Sequence, residues 1–225
     1  MSRILTLPRT RRRPKSLPCI DDADHLVLDD ISWQFYEQLL KEFGNRPIRV
    51  TYDEGRLEMM APLATHEDGK TFIGRMIEML TLLMGIEVKS LGSTTYRDRD
   101  KLKGLEPDEC YFFKNASQVR GIREWNAKKH PPPELVVEVD ITSHWIDREA
   151  IYAALVVPEI WRWDGSKIEC LHLHGDHYVI RKYSLAFPFL EPAELKRFLV
   201  RLKTRDENAV LRQFVSWVRK QGWAK

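Results

Sequence analysis

The chain has 225 residues, 43% of them hydrophobic, and a formal net charge of +3. That size fits one compact domain with a sizeable core, and no run of 18 apolar residues offers a membrane-spanning helix. The charge is uneven: Arg3, Arg9, Arg11, Arg12, Arg13 and Lys15 stand without an acid in the first 20 residues, so the remaining body carries about −3.

Residues 1–24 read as an irregular basic tail, which either contacts phosphates or is a solvated end. Pro8, Pro14 and Pro18 interrupt its apolar pieces, so no signal-peptide centre is expected. Ser32 can cap a short helix carrying Trp33, Phe35, Tyr36, Leu39 and Leu40, ended by Asn45 and Pro47. Residues 49–52 and 56–60, joined by Asp53-Glu54-Gly55, read as a β-hairpin closed at Pro62. Thr65 predicts the N-cap of a long helix, with Glu67 and Asp68 in its first turn, an apolar stripe of Phe72, Met76, Leu80 and Leu83, and a stop at Gly85.

Short strands are predicted over 86–89 and 92–96, a charged connection over 97–103, and a strand over 110–113. A long loop over 114–133 follows, with a helical turn near Trp125. Leu135–Val139 is the strongest strand signal: apolar residues occupy both faces, interrupted by Glu138, as in the central strand of a covered sheet. A helix over 147–156, strands over 158–163, 167–173 and 177–183, and helices over 192–202 and 206–221 complete the reading. The expectation is one α/β unit: a tail (1–24), a domain (25–190) and a C-terminal helical extension (191–225) packed on it.

The chemistry concentrates between Glu106 and Asp147. Asp108 opens one apolar run and Glu138 lies near the end of another. A carboxylate in a buried segment is costly unless a metal or a positive partner compensates it. If their strands are neighbours, Asp108 and Glu138, with the backbone carbonyl of Val139 and waters, suit Mg²⁺ or Mn²⁺, which would activate water and polarise a phosphodiester. Asp140 falls on the Glu138 face of the strand. The plainer alternative is that Asp108 caps a turn after Pro107 while Glu138 makes a structural ion pair.

Three cysteines (Cys19, Cys110 and Cys170) lack paired spacing, offer no disulfide or zinc framework, and suit a reducing cytoplasm. His172, His174 and His177 straddle Gly175-Asp176 and read as a loose surface patch. Neither a Walker-type loop nor a dinucleotide fingerprint is present, so no nucleotide cofactor is expected.

Tyr52-Asp-Glu-Gly-Arg-Leu-Glu-Met-Met-Ala-Pro62, His66, Gly92-Ser-Thr94, Glu106-Pro-Asp-Glu-Cys-Tyr111, Glu134-Leu-Val-Val-Glu-Val139, Ser143, Tyr152 and Val157-Pro-Glu-Ile-Trp161, with Asp164 after it, occur in the order seen in the Uma2 (DUF820) family. Over roughly residues 30–190 the chain resembles that family of restriction-endonuclease-like, PD-(D/E)XK proteins. The resemblance implies a central mixed β-sheet flanked by helices, a homodimer, and Mg²⁺-dependent cleavage of DNA. It assigns Asp108 and Glu138 to the metal and His66 to the site. The family's lysine, placed on the helix four residues before Tyr152, is here Arg148. Arginine stays protonated, so it can hold a phosphate but cannot serve as a general base. Weak cleavage, or a protein that binds nucleic acid or a partner without cutting, are the alternatives that follow. Glu58, on the hairpin, and Lys89 are possible supporting groups. Tyr152 shares a helical face with Arg148 and either packs or orients a charge.

Overall fold

The computed structural model describes residues 25–44, 48–61, 64–140 and 146–224; of residues 64–66 the backbone alone is described. The readings on the 1–24 tail, Pro62 and Ser143, and on the side chains of Thr65 and His66, lie outside the described parts.

Two sheets organise the chain. In the first, β1 (His25–Leu28), β3 (Arg56–Met60), β2 (Arg49–Asp53), β6 (Lys103–Leu105) and β5 (Tyr96–Asp98) lie side by side in that order, all antiparallel. The β2–β3 hairpin is as the sequence predicts. Asp53 pairs with Arg56, and Glu54 and Gly55 form a two-residue turn with φ of 47° and 99°. Positive φ at both turn residues matches the right-handed twist of the flanking strands. The alternation Arg-Val-Thr-Tyr-Asp sends Val50 and Tyr52 toward α1 (Trp33–Phe43), where Trp33, Tyr36 and Leu57 complete a small core. Ser32 caps α1 by accepting the Phe35 N–H at 3.2 Å. Thr51 and Glu58, directly opposed across the hairpin, occupy the other face and are also buried.

The second sheet is mixed, in the order β11 (His177–Arg181), β10 (Ile168–His174), β9 (Glu159–Trp163), β8 (Leu135–Val139), β7 (Glu109–Phe112) and β4 (Lys89–Ser90). β8 and β9 are parallel, and the other pairs are antiparallel. A parallel pair needs a crossover, supplied here by the segment containing α3 (Arg148–Ala154), with Asp147 accepting the Ala150 N–H as its cap. All five residues of β8 are buried, as expected of a strand covered on both faces.

Val137, Val139, Trp161 and Trp163 pack with α2 (Ala64–Met84), with Phe198 of α4 (Lys196–Leu199) and with Val210, Phe214 and Val218 of α5 (Glu207–Lys220). Val136, Ile160 and Leu171 pack with Ile151 and Tyr152 on the opposite face. α2 approaches closely at Gly69, where a Cβ would stand 3.1 Å from the Trp163 ring and 3.5 Å from Val139. The result is an α/β fold with a mixed sheet flanked by helices. The short link Glu106-Pro107-Asp108 carries the chain from the first sheet into the second.

Several local readings shift. α2 begins at Ala64, so Thr65 is a helical residue and not its cap. β1 was not anticipated; four residues of an edge strand carry too little periodicity. The "charged connection" over 97–103 is a hairpin between β5 and β6, turned by Leu102 at φ 51°. Strand pairing begins at Lys89, not Ile86, and the helical turn lies at Ala116–Val119, not near Trp125. The helix expected over 192–202 is divided into 3-10 turns around the four-residue α4. No described helix is long and apolar enough to cross a membrane.

Candidate functional site

The site lies where the two sheets meet. Asp108, just before β7, and Glu138, on β8, are 3% and 7% exposed. β7 and β8 are paired, with Glu109 opposite Val137, so the strands that carry the two acids are neighbours, the condition on which the sequence reading rested. Asp108 Oδ2 accepts the Val139 N–H at 2.8 Å. Val139 thus meets Asp108 through its N–H, whereas the sequence reading invoked its carbonyl as a metal ligand. Asp108 Oδ1 lies 3.6 Å from the Arg49 guanidinium, which also approaches Glu67 at 3.9 Å.

Arg148 occupies the middle. Asp147 caps its helix, so Arg148 and Tyr152, one turn apart, both face β8. One guanidinium nitrogen donates to Glu138 Oε1 at 2.7 Å and to the Glu106 carbonyl at 2.8 Å; the other donates to Thr51 Oγ1 at 2.9 Å. A single buried cation therefore ties together β2 of the first sheet, the link between the sheets, and β8 of the second. Tyr152 donates its hydroxyl to the same Glu138 oxygen. Arg148 is 9% exposed and ion-paired with Glu138.

Charge follows this packing. Burial alone would lower the Arg148 pKa, but Glu138, helped by Tyr152 and Asp108, raises it further above its ordinary value. Burial raises the Tyr152 pKa well above the ordinary tyrosine range, and Glu138 adds to the effect, so the phenol keeps its proton and remains a donor. Burial also raises the Asp108 pKa, against the opposing pull of the Val139 N–H, Arg148, Arg49 and Lys70. Glu106 is raised by burial as well, while its side chain accepts from Thr95 at 2.9 Å.

The other expected residues fall in different places. Glu58 is buried across from Thr51 and pairs with His25 Nδ1 at 3.1 Å, which puts it beside the Arg148 network. Asp140 lines, with Glu138, Arg148 and Arg162, a cavity of about 250 Å³, and its N–H bonds the Trp163 carbonyl at 2.8 Å. Lys89 sits on edge strand β4 opposite Phe112, with β7 between it and β8. The His66 side chain lies outside the described parts.

Sequence reasoning missed Arg49, Thr51 and His25. A signal for the first two was present: β2 alternates polar and apolar residues, and the polar face turns toward the acids instead of water. His174 and His177 do sit together at the β10–β11 tip, with rings 5.7 Å apart. His172 instead faces Cys170 on the sheet, at 3.5 Å.

A family model described as "Putative restriction endonuclease", Uma2, matches residues 33–203. No curated protein matches the chain. Among solved structures, a protein from Anabaena variabilis ATCC 29413, described as "a putative nuclease belonging to DUF820", is similar with a TM-score of 0.47 at 12% identity, covering 72% of this chain and 97% of that one. Because the family match spans most of its length, this chain belongs to the Uma2 family.

Proposed function

We propose that this chain is a nuclease-fold protein that binds nucleic acid and does not cleave it efficiently, because Arg148 supplies the positive charge at Glu138 where a divalent ion would act. The observation that carries this reading is the set of bonds from one buried guanidinium to Glu138, Glu106 and Thr51. Mg²⁺ or Mn²⁺ held between Asp108 and Glu138 does not fit beside that group. Glu138 is already balanced by the Arg148 guanidinium and bonded by Tyr152, and a second cation would meet the guanidinium charge. No hydrolytic step is therefore assigned to an ion here. Arginine also cannot act as a base toward water.

The binding surface in this reading is the cleft of about 800 Å³ that reaches the site through Arg49 and Glu106 and is lined by Lys41, Lys70, Arg97 and Arg123. Glu67 and Glu124 offset part of that charge. The surplus is small, so the expected affinity is modest and falls with salt. The test is anisotropy of a labelled DNA duplex in EDTA. Lys41 and Arg123 are exposed, so K41E/R123E should leave the fold intact. Binding by the native chain, with a weaker and less salt-dependent response in the double variant, is expected. No binding, or equal binding by the double variant, would overturn the reading.

A further inference from the structure

We propose that Glu159, Cys170 and His172 form a binding site for a thiolate-seeking divalent ion of the Zn²⁺ class, on the face of the second sheet opposite Glu138. Cys170 and His172 are two apart on β10 and so share a face, and the β9–β10 register sets His172 directly across from Glu159. The Cys170 Sγ lies 3.3 Å from Glu159 Oε1 and 3.5 Å from His172 Nε2, and the three donor atoms lie within 4.8 Å of one another. Zinc bonds of about 2.3 Å to sulfur and 2.0–2.1 Å to nitrogen or oxygen, at tetrahedral angles, place sulfur about 3.5 Å from its fellow ligands. The Cys170 sulfur already has that spacing to both partners.

The outer contacts that hold a metal ligand in place are also present. Trp161 Nε1 donates to Glu159 Oε1 at 2.7 Å, while the Leu185 and Ala186 N–H groups donate to Oε2 at 3.0 and 2.8 Å. The Cys170 thiol takes the remaining approach to Oε1. An ion entering there replaces the thiol proton, which leaves to solvent, and its two positive charges balance one thiolate and one carboxylate. Three protein ligands leave a fourth position, for water or for the Tyr183 carbonyl, 3.6 Å from Sγ. His172 is half-buried and provides the way in. Thiolate and imidazole donors exclude Mg²⁺ as the preferred ion. The bound ion would clamp β9 and β10 to the 183–187 segment, which seats Phe187 in the core. Cys110 differs: its Sγ meets the Tyr96 hydroxyl and the Gly92 carbonyl. This proposal stands apart from the nucleic-acid reading.

The test is titration of the full chain, stripped by chelator, with Co²⁺ alone. A thiolate-to-cobalt charge-transfer band is expected, displaced by Zn²⁺ and retained in C110S and in D108N. It should vanish in C170S, and H172Q, which removes a ligand, should weaken Co²⁺ binding by more than the roughly 10–100-fold that losing an outer-shell contact costs. H172Q changes a half-buried side chain and keeps the test open if C170S fails to fold. No band in the native chain, a band that survives C170S, or unchanged affinity in folded H172Q would overturn the proposal.

Discussion

Glu138 and Glu159 stand on adjacent strands of one sheet and are both buried, yet the fold satisfies them differently. Glu138 points toward α3 and receives a guanidinium and a phenol. Glu159 points to the other face and receives an indole N–H, two backbone N–H groups and a thiol. One acid is answered by an opposite charge and the other by neutral donors alone. A carboxylate in an apolar strand therefore signals that compensation exists, without indicating its kind. At Glu138 the compensating group is on the chain itself, and this is what argues against a hydrolytic ion there.

The comparison breaks most sharply at Arg148. R148A would leave Glu138 buried without its cation, and a loss of about 3–5 kcal/mol in denaturant unfolding is expected. At Glu159 no charge partner is at stake. E159Q places an amide nitrogen among three N–H donors and should cost about 1–3 kcal/mol in the same measurement. A larger loss in E159Q than in R148A would reverse the ranking. Y152F removes one hydrogen bond to a charged group while leaving Arg148 in place, and about 1.5 kcal/mol is expected.

The smallest effect is at Asp108. Its folded pKa is raised above the unfolded value of about 3.9, so the ionised carboxylate opposes folding. That penalty is absent below the unfolded pKa and complete above the folded one. D108N, which keeps an acceptor for the Val139 N–H, should raise Tm slightly at pH 7 and lose the advantage as pH falls through the folded pKa, with none left below about 3.9. A Tm gain independent of pH would contradict this.

Much of this was legible in the sequence. The β2–β3 hairpin, the Ser32 cap and the central strand at Leu135–Val139 follow from turn chemistry and periodicity. The plainer reading of Glu138 as an ion-paired acid is what the contacts show. What escaped were features that depend on partners distant in sequence. Thr51 reaches Arg148 across 97 residues, and nothing local marks it as a ligand of that guanidinium. The first sheet was missed as a unit because β1, β5 and β6 are three or four residues long and pair across turns rich in charge. Cys170-Leu171-His172 carried a period-two signal, but its third member, Glu159, becomes visible only once β9 and β10 are paired.

The most direct test of the central claim is plasmid cleavage in Mg²⁺ and in Mn²⁺ by the native chain, with E138A alongside. If Arg148 stands in for the ion, the native chain leaves the plasmid intact in both metals, as E138A does. Metal-dependent cleavage by the native chain that disappears in E138A would contradict the account and assign Glu138 to a working metal site.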